Sequence, residues 1–420
     1  MGSLENGSDE PLTPVGRLFL QKEINQVIYC AFGMRQPLDV DALKLAIQSC
    51  PMFMHPRFCS LLVRDSAGRE HWRRTCVDID RHVILVHGPI AEGLSDEAAV
   101  NKYLADLSTD SPGLMGDDKP LWDVHLLMAH QCMVLRIHHA LGDGISLISS
   151  FLAGSRRVDD PEALPTIGPP SSTTRRRSDG GGEWWKAVVR VLEVVWFTVV
   201  FVVEFVLRIM WVSDRTTPLS GGAGVELWPR KLATARFSME DMKVVKSAVA
   251  NATINDVLLG IVSVGLFKYM DHQSPNGKKR TAFPHIHSDF CRFKDDESQT
   301  TKNAHLPLSA VQEGTRIKGV AIVNLREQQG LQELSNLMEG NQGLRWGNKF
   351  GTILLPVHYS RSCGDPLEYL RKAKSMMARK KKSLEAHFSY KIGDMAMTYP
   401  GAHVRISSRF CNSENRTTIS

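Results

Sequence analysis

Apolar positions fall into two patterned regions separated by a segment of different character. In the first, from about Leu12 to Gly154, Val40 to Ser49 repeats apolar residues at helical spacing, LLVRD (61–65) and HWRRTCVDI (71–79) read as strands, and Asp96 to Leu107 reads as a helix. PLWDVHLLMAH (120–130) and QCMVLRIHH (131–139) carry alternating bulky residues with a short polar turn between them, which predicts neighbouring strands. Helical spacing resumes at Ile145 with ISLISSFLAG. His138 and His139 therefore sit on a strand-to-helix connection.

The second region begins near Val225. It predicts a helix from about Ser238 to Tyr269, broken around Asn251 to Ile254, and strands at IKGVAIVNLR (317–326) and KFGTILLPVHY (349–359). Asp365 to Lys382 predicts a helix whose basic run is a solvated face or faces anionic lipid. Residues 271–315 are mixed polar and read as an irregular excursion. Between the regions, 155–183 is rich in Pro, Ser, Asp and Gly and reads as a flexible linker. Trp184 to Val212 then reads as one apolar helix, about 43 Å long at 1.5 Å per residue.

Lys186, Arg190, Glu193, Glu204 and Arg208 share a narrow stripe of that helix, interrupted by Phe197 and Phe201. Its longest uncharged run, Val194 to Val203, is too short to span a bilayer by itself. Such a helix lies deep in a membrane surface, spans with its stripe against protein, or packs as a long core helix between domains. Trp184, Trp185 and Trp211 at its ends favour a membrane-associated helix.

Composition narrows the classes. A net charge of +6 favours anionic partners. No basic tract is interleaved with aromatics in the manner of a nucleic-acid surface, so nucleic acid is not an expected partner. The eight cysteines are scattered without a C-x-x-C pair, the usage of a reducing compartment with neither a disulfide framework nor a structural zinc site. The polar N-terminus lacks a signal-peptide core, and Met-Gly is not followed by the Ser/Thr of a myristoylation signal.

The chemistry concentrates in VLRIHHALGDG (134–144). A histidine can take a proton from a substrate hydroxyl near neutral pH. Strand alternation puts Val134, Arg136 and His138 on one face and Leu135, Ile137 and His139 on the other, so only one ring reaches a substrate. Asp143 suits a turn that holds backbone or an arginine, and Gly142 and Gly144 permit a tight turn. A structural His-His pair is the plain alternative. No third ligand stands at a zinc spacing, and no G-x-S-x-G, P-loop or G-x-G-x-x-G motif is present.

His138, His139, Asp143 and Gly144 form the pattern HHxxxDG, which resembles the signature of acyl-CoA-dependent acyltransferases. PLTPVGRL (11–18), PLWD (120–123), NDVLLG (255–260), VNLR (323–326) and WGNKFGTILLP (346–356) narrow the resemblance to the plant-type wax ester synthase/diacylglycerol O-acyltransferase family, over about residues 11–395. That resemblance implies an α/β, two-domain chloramphenicol-acetyltransferase-like fold with mixed sheets. It implies transfer of a long-chain fatty acyl group from acyl-CoA, a substrate and not a cofactor, to a long-chain alcohol or to diacylglycerol. It further implies membrane lipid as a partner and the endoplasmic reticulum membrane, with the plasma membrane as a second site, as location. His139 would be the general base, His138 a supporting residue, Asp143 structural and Gly144 a turn. Asn255 is a candidate oxyanion donor or a helix cap, and Arg326 either lines a CoA rim or forms a core ion pair.

The expected organisation is a disordered 1–10, an N-terminal acyltransferase domain over 11–154, the linker 155–183, the membrane-associated helix 184–212, a C-terminal acyltransferase domain over 213–399 and a divergent tail from 400 to 420. Family members carry further strands and an SN-x-x-GP segment where this tail stands, so reduced activity is expected of this chain. The competing expectation is a non-catalytic lipid-binding or scaffold protein of the same fold.

Overall fold

The computed structural model describes residues 9–21, 24–110, 118–163, 165, 184–210, 219, 228–273, 316–326, 346–358 and 365–398. Most of the expected linker and excursion, the tail from 400 and Trp211 lie outside these residues. In chain order the first part comprises β1 (Glu10–Pro11), α1 (Pro14–Leu18), β2 (Val27–Gly33), α2 (Val40–Ser49), α3 (Pro51–Met54), β3 (Ser60–Arg64), β4 (Glu70–Arg74), β5 (Val83–Val86), α4 (Asp96–Asp110), β6 (Trp122–Leu127), β7 (Cys132–His138) and α5 (Gly144–Ala153). After α6 (Trp184–Met210) come α7 (Met239–Ser247), α8 (Ile254–Gln273), β8 (Arg316–Asn324), β9 (Phe350–His358), α9 (Pro366–Lys380) and α10 (Glu385–Thr398).

The main sheet has strand order β2-β7-β6-β5, antiparallel except for the parallel β5/β6 pair, so it is mixed as expected. α4 makes the crossover between the parallel strands, whereas β6 and β7 are joined by one 3-10 turn. Alternation along β7 divides two cores. Leu135 and Ile137 join Trp122, Val124, Leu126, Phe58 and Trp72 in the larger one, while Val134 joins Leu127 and Cys132 under α4. Trp122 is wholly buried, and its indole N–H donates to the Phe58 carbonyl at 2.8 Å. β8 and β9 form an antiparallel pair with α8, α9 and α10 packed against it. The helix expected over 238–269 is indeed interrupted: Asn251 adopts φ 56°, and Thr253 and Asp256 cap α8 through reciprocal hydrogen bonds.

The expectation of a long, membrane-associated helix is corrected. α6 forms where the apolar run predicts it, but no helix of the described residues is long and apolar enough to cross a membrane. The cause is its charges, which confine the uncharged run to Val194 to Val203 against the roughly 20 residues a span requires. Part of the stripe is turned to protein at the α9–α10 corner. Glu193 pairs with Lys382 at 2.8 Å, Thr198 Oγ1 accepts from the Leu384 N–H at 3.0 Å, and Lys380 lies 3.9 Å above the Phe201 ring. Residues on the helix that face away, among them Leu192, Val195 and Trp196, are exposed.

Lys380 is the anchor of this corner. Its ammonium meets the Glu385 carboxylate at 2.8 Å with both side chains essentially inaccessible, and the other Glu385 oxygen accepts from the Leu354 N–H of β9 at 3.0 Å. Burial pushes the Glu385 carboxyl above its usual range, against the pull of Leu354 and Lys380. Removing one partner strands the other. Lys380→Ala is therefore expected to lower the unfolding free energy by about 3–5 kcal/mol, measured by urea titration at pH 7.

Candidate active site

The site is built where β7 ends and α5 begins. His138 closes β7 and is wholly buried. Its Nδ1 accepts from the Ala140 N–H at 3.1 Å, so its Nε2 carries the proton and donates to Asn25 Oδ1 at 3.0 Å. Both ring nitrogens of His138 are thus engaged. Burial, reinforced by the neighbouring His139, lowers its pKa to about 4 and keeps the ring neutral.

His139 lies on the opposite face, as alternation requires, with its backbone N–H held by the Gln26 carbonyl at 2.9 Å. Its ring stacks on Phe19 with centroids 3.9 Å apart and an interplanar angle of 17°, and Phe350 stands at 6.1 Å. Asn348 Oδ1 lies 3.1 Å from Nδ1. Burial lowers the His139 pKa, while hydrogen bonds to its own carbonyl and to Asn348, with the charge of Asp143, pull upward. No group of the described residues bonds Nε2.

Asp143 is the N-cap of α5, where Oδ1 accepts from the Ser146 N–H at 3.0 Å. Its Oδ2 accepts from Arg326 at 2.6 Å and from the Lys349 N–H at 3.0 Å. Arg326 therefore forms the core ion pair; its guanidinium also donates to Ser146 Oγ at 3.0 Å and to the Gly347 carbonyl. Trp346 Nε1 donates to the Leu141 carbonyl at 2.7 Å, and Asn348 Nδ2 to the His139 carbonyl at 3.0 Å. The segment before β9 thus clasps the whole HHxxxDG loop.

Two glycines make this approach possible. A Cβ on Gly142 would stand 3.2 Å from the Trp346 ring, and Gly347, at φ +119°, faces Arg57 Nη1 at 2.9 Å from where its Cβ would be. Gly144 opens α5 and would meet nothing within 4 Å. Asn255 lies in the first turn of α8, whose cap is made by Thr253 and Asp256. The site residues that motif reading left unassigned are Phe19, Asn25, Trp346, Asn348 and Lys349. Three of them lie inside WGNKFGTILLP and Phe19 directly follows PLTPVGRL, so motif edges were the available signal.

Residues 36–258 match the family model of the wax ester synthase/diacylglycerol acyltransferase catalytic domain, and residues 346–420 match the WS/DGAT C-terminal domain. Wax ester synthase/diacylglycerol acyltransferase 11 of Arabidopsis thaliana is 34% identical over 398 residues, covering 92% of this chain and 74% of the relative. Wax ester synthase/diacylglycerol acyltransferase 5 of the same plant is 31% identical over 433 residues, covering 98% and 79%. The solved wax ester synthase/diacylglycerol acyltransferase from Marinobacter aquaeolei VT8 is 19% identical, with 63% of this chain and 61% of that chain covered and a TM-score of 0.37.

The buried histidines make the fold acid-sensitive in a defined direction. An unfolded imidazole protonates near 6.5 and folded His138 only near 4, so the unfolded chain binds more protons between these values. Stability is then expected to fall as pH falls from about 6.5 to about 4, by about 3 kcal/mol from His138 alone. His82, lowered to about 4 by burial, and His55, lowered to about 3, act in the same direction. Urea unfolding at a series of pH values should give this slope, shallower in His138→Gln.

Proposed function

Because this chain belongs to the wax ester synthase/diacylglycerol acyltransferase family, we propose that His139 is the general base of its acyl transfer. The chain is an enzyme that moves a fatty acyl group from acyl-CoA to an alcohol, forming a wax ester, or to diacylglycerol, forming triacylglycerol. The observation that supports His139 over its neighbour is the state of the two rings. His138 spends its lone pair on the Ala140 N–H, whereas His139 keeps Nε2 free of any partner among the described residues.

In the proposed reaction His139 Nε2 takes the acceptor hydroxyl proton as that oxygen attacks the thioester carbonyl carbon. A new C–O bond forms, the carbonyl electrons collect on oxygen, and their return breaks the C–S bond. The departing CoA thiolate receives the proton from the imidazolium, which restores the base. No acyl-enzyme is required. A base with its pKa lowered by burial is neutral at physiological pH and ready to accept. Asp143 and Arg326 hold the loop and stay outside the proton transfer.

The long-chain alcohol, diacylglycerol and both products partition out of water. We propose on that ground that membrane lipid is a partner and that the enzyme works at the endoplasmic reticulum membrane; recovery with reticulum membranes on fractionation is the expected outcome, and recovery wholly in the supernatant refutes it.

The direct test supplies labelled palmitoyl-CoA with hexadecanol or diacylglycerol to membranes containing the full chain. Labelled wax ester or triacylglycerol is expected, with a loss of about 10²–10⁴ in His139→Ala, in a variant that still unfolds cooperatively. Full turnover in the alanine variant would remove His139 from the mechanism. Absence of product from the unaltered chain with both acceptors would instead describe a non-catalytic lipid-binding protein.

A further inference from the structure

A general base needs more than a suitable pKa. A neutral imidazole has one proton and two nitrogens, and only the tautomer with the proton on Nδ1 presents an Nε2 lone pair. In His139 the nitrogen that must hold the proton faces Asn348, whose amide makes two contacts with the same residue. The direction of that amide is fixed. The His139 carbonyl can only accept, so the Asn348 atom bonded to it is the NH2 group, and the atom left to face Nδ1 is oxygen, which can only accept from an Nδ1 proton.

We propose that Asn348, delivered from the segment before β9, is the positioning residue that selects the catalytic tautomer of His139. The inference rests on the acyltransferase reading above for its consequence, and on the hydrogen-bond geometry for its content. Asn348 is 5% exposed, so water competes poorly for its oxygen. The Phe19 ring, stacked on the imidazole, fixes the remaining freedom of the ring plane. The arrangement is opposite to that of His138, whose Nδ1 faces a donor. Adjacent histidines in one chain thus hold opposite tautomers because a backbone N–H addresses one and an amide oxygen the other.

Charged and titratable groups around His139 are few. His138 precedes it, Asp143 lies on its own loop, and Arg326 and Lys349 arrive from the second half at Asp143. Asn348 itself is neutral, so it can set the tautomer without adding charge. Aspartate at this position would keep the acceptor, lose the donor to the His139 carbonyl, and stabilise the imidazolium.

The experiment is nitrogen NMR of the full chain labelled at histidine nitrogens, the His139 signals being those lost in His139→Ala, together with the pH profile of kcat/KM. In the unaltered protein above the His139 pKa, Nδ1 should be pyrrole-type and Nε2 pyridine-type. In Asn348→Ala the two should move toward averaging and kcat/KM should drop by about 10–100-fold, the size associated with an outer partner that orients a histidine. Asn348→Asp should recover most of the plateau while moving the acidic limb to higher pH.

A pyridine-type Nδ1 in the unaltered protein overturns the proposal whatever the variants do, and this reading is available even if Asn348→Ala does not fold. An unchanged tautomer in Asn348→Ala with an unmoved limb in Asn348→Asp also overturns it, and leaves the task to the His139 carbonyl. The nitrogen shifts do not depend on turnover. Failure of the acyltransferase reading would therefore show as absent product beside correct shifts, and failure of the tautomer proposal as the reverse.

Discussion

The carboxylate of Asp143 is the point on which the site depends. It is 4% exposed and satisfied by donors from both halves of the chain: the Ser146 N–H of its own helix, the Lys349 N–H, and the Arg326 guanidinium. A buried carboxylate survives only with such a set, because its desolvation must be offset by ideal charge-assisted hydrogen bonds. The consequence is positional. Arg326 follows β8 and Lys349 precedes β9, so one charge ties the β8/β9 pair to the HHxxxDG loop. Residues between Trp346 and Lys349 then have little freedom, and Asn348 arrives at a histidine 209 positions earlier. The same carboxylate, through Ser146, starts α5 and ends the loop that carries His139.

That constraint turns a repeated residue into two unlike groups. His138 and His139 have the same intrinsic chemistry, and strand geometry merely sends them to opposite faces. Their partners make the difference. His138 is drawn into the hydrogen-bonding of its own loop and becomes a neutral strut. His139 is gripped at its carbonyl and at Nδ1, stacked on Phe19, and left open at one atom. Burial lowers both pKa values, but only where a lone pair remains free does that neutrality serve proton abstraction.

What was legible in the sequence is what short-range physics governs. The period of two along QCMVLRIHH gave the opposed histidines, the period of 3.6 after Ile145 gave α5, and Asp143 could be read as holding backbone or an arginine from within a glycine-flanked turn. The family motifs located the segment 346–356 but not its contacts. Asn348 and Trp346 act across more than two hundred positions on atoms that are mostly backbone, and no periodicity encodes such a meeting. α6 shows the reverse error. Its apolar run predicted the helix correctly, yet Glu193, one of the charges that interrupt it, is turned to Lys382 at the α9–α10 corner, a pairing invisible until the fold supplies the partner.

The clasp also explains where glycine is needed and where it is not. Trp346 lies against Gly142, where a side chain would press on the indole, and at Gly347, beside Arg57, the positive φ favours glycine. Gly144, the glycine of the motif itself, has open space and serves only to begin α5. Tightness has a chemical reason. The direct transfer proposed for this site requires the thioester, the acceptor hydroxyl and the base to be in register at one moment, and the rate advantage of such an arrangement disappears with small misplacements. A base on a loop meets that demand only if something outside the loop holds it. Here the hold comes from a carboxylate that binds the loop to the second half and from an amide, brought by the same contact, that touches His139, the proposed base.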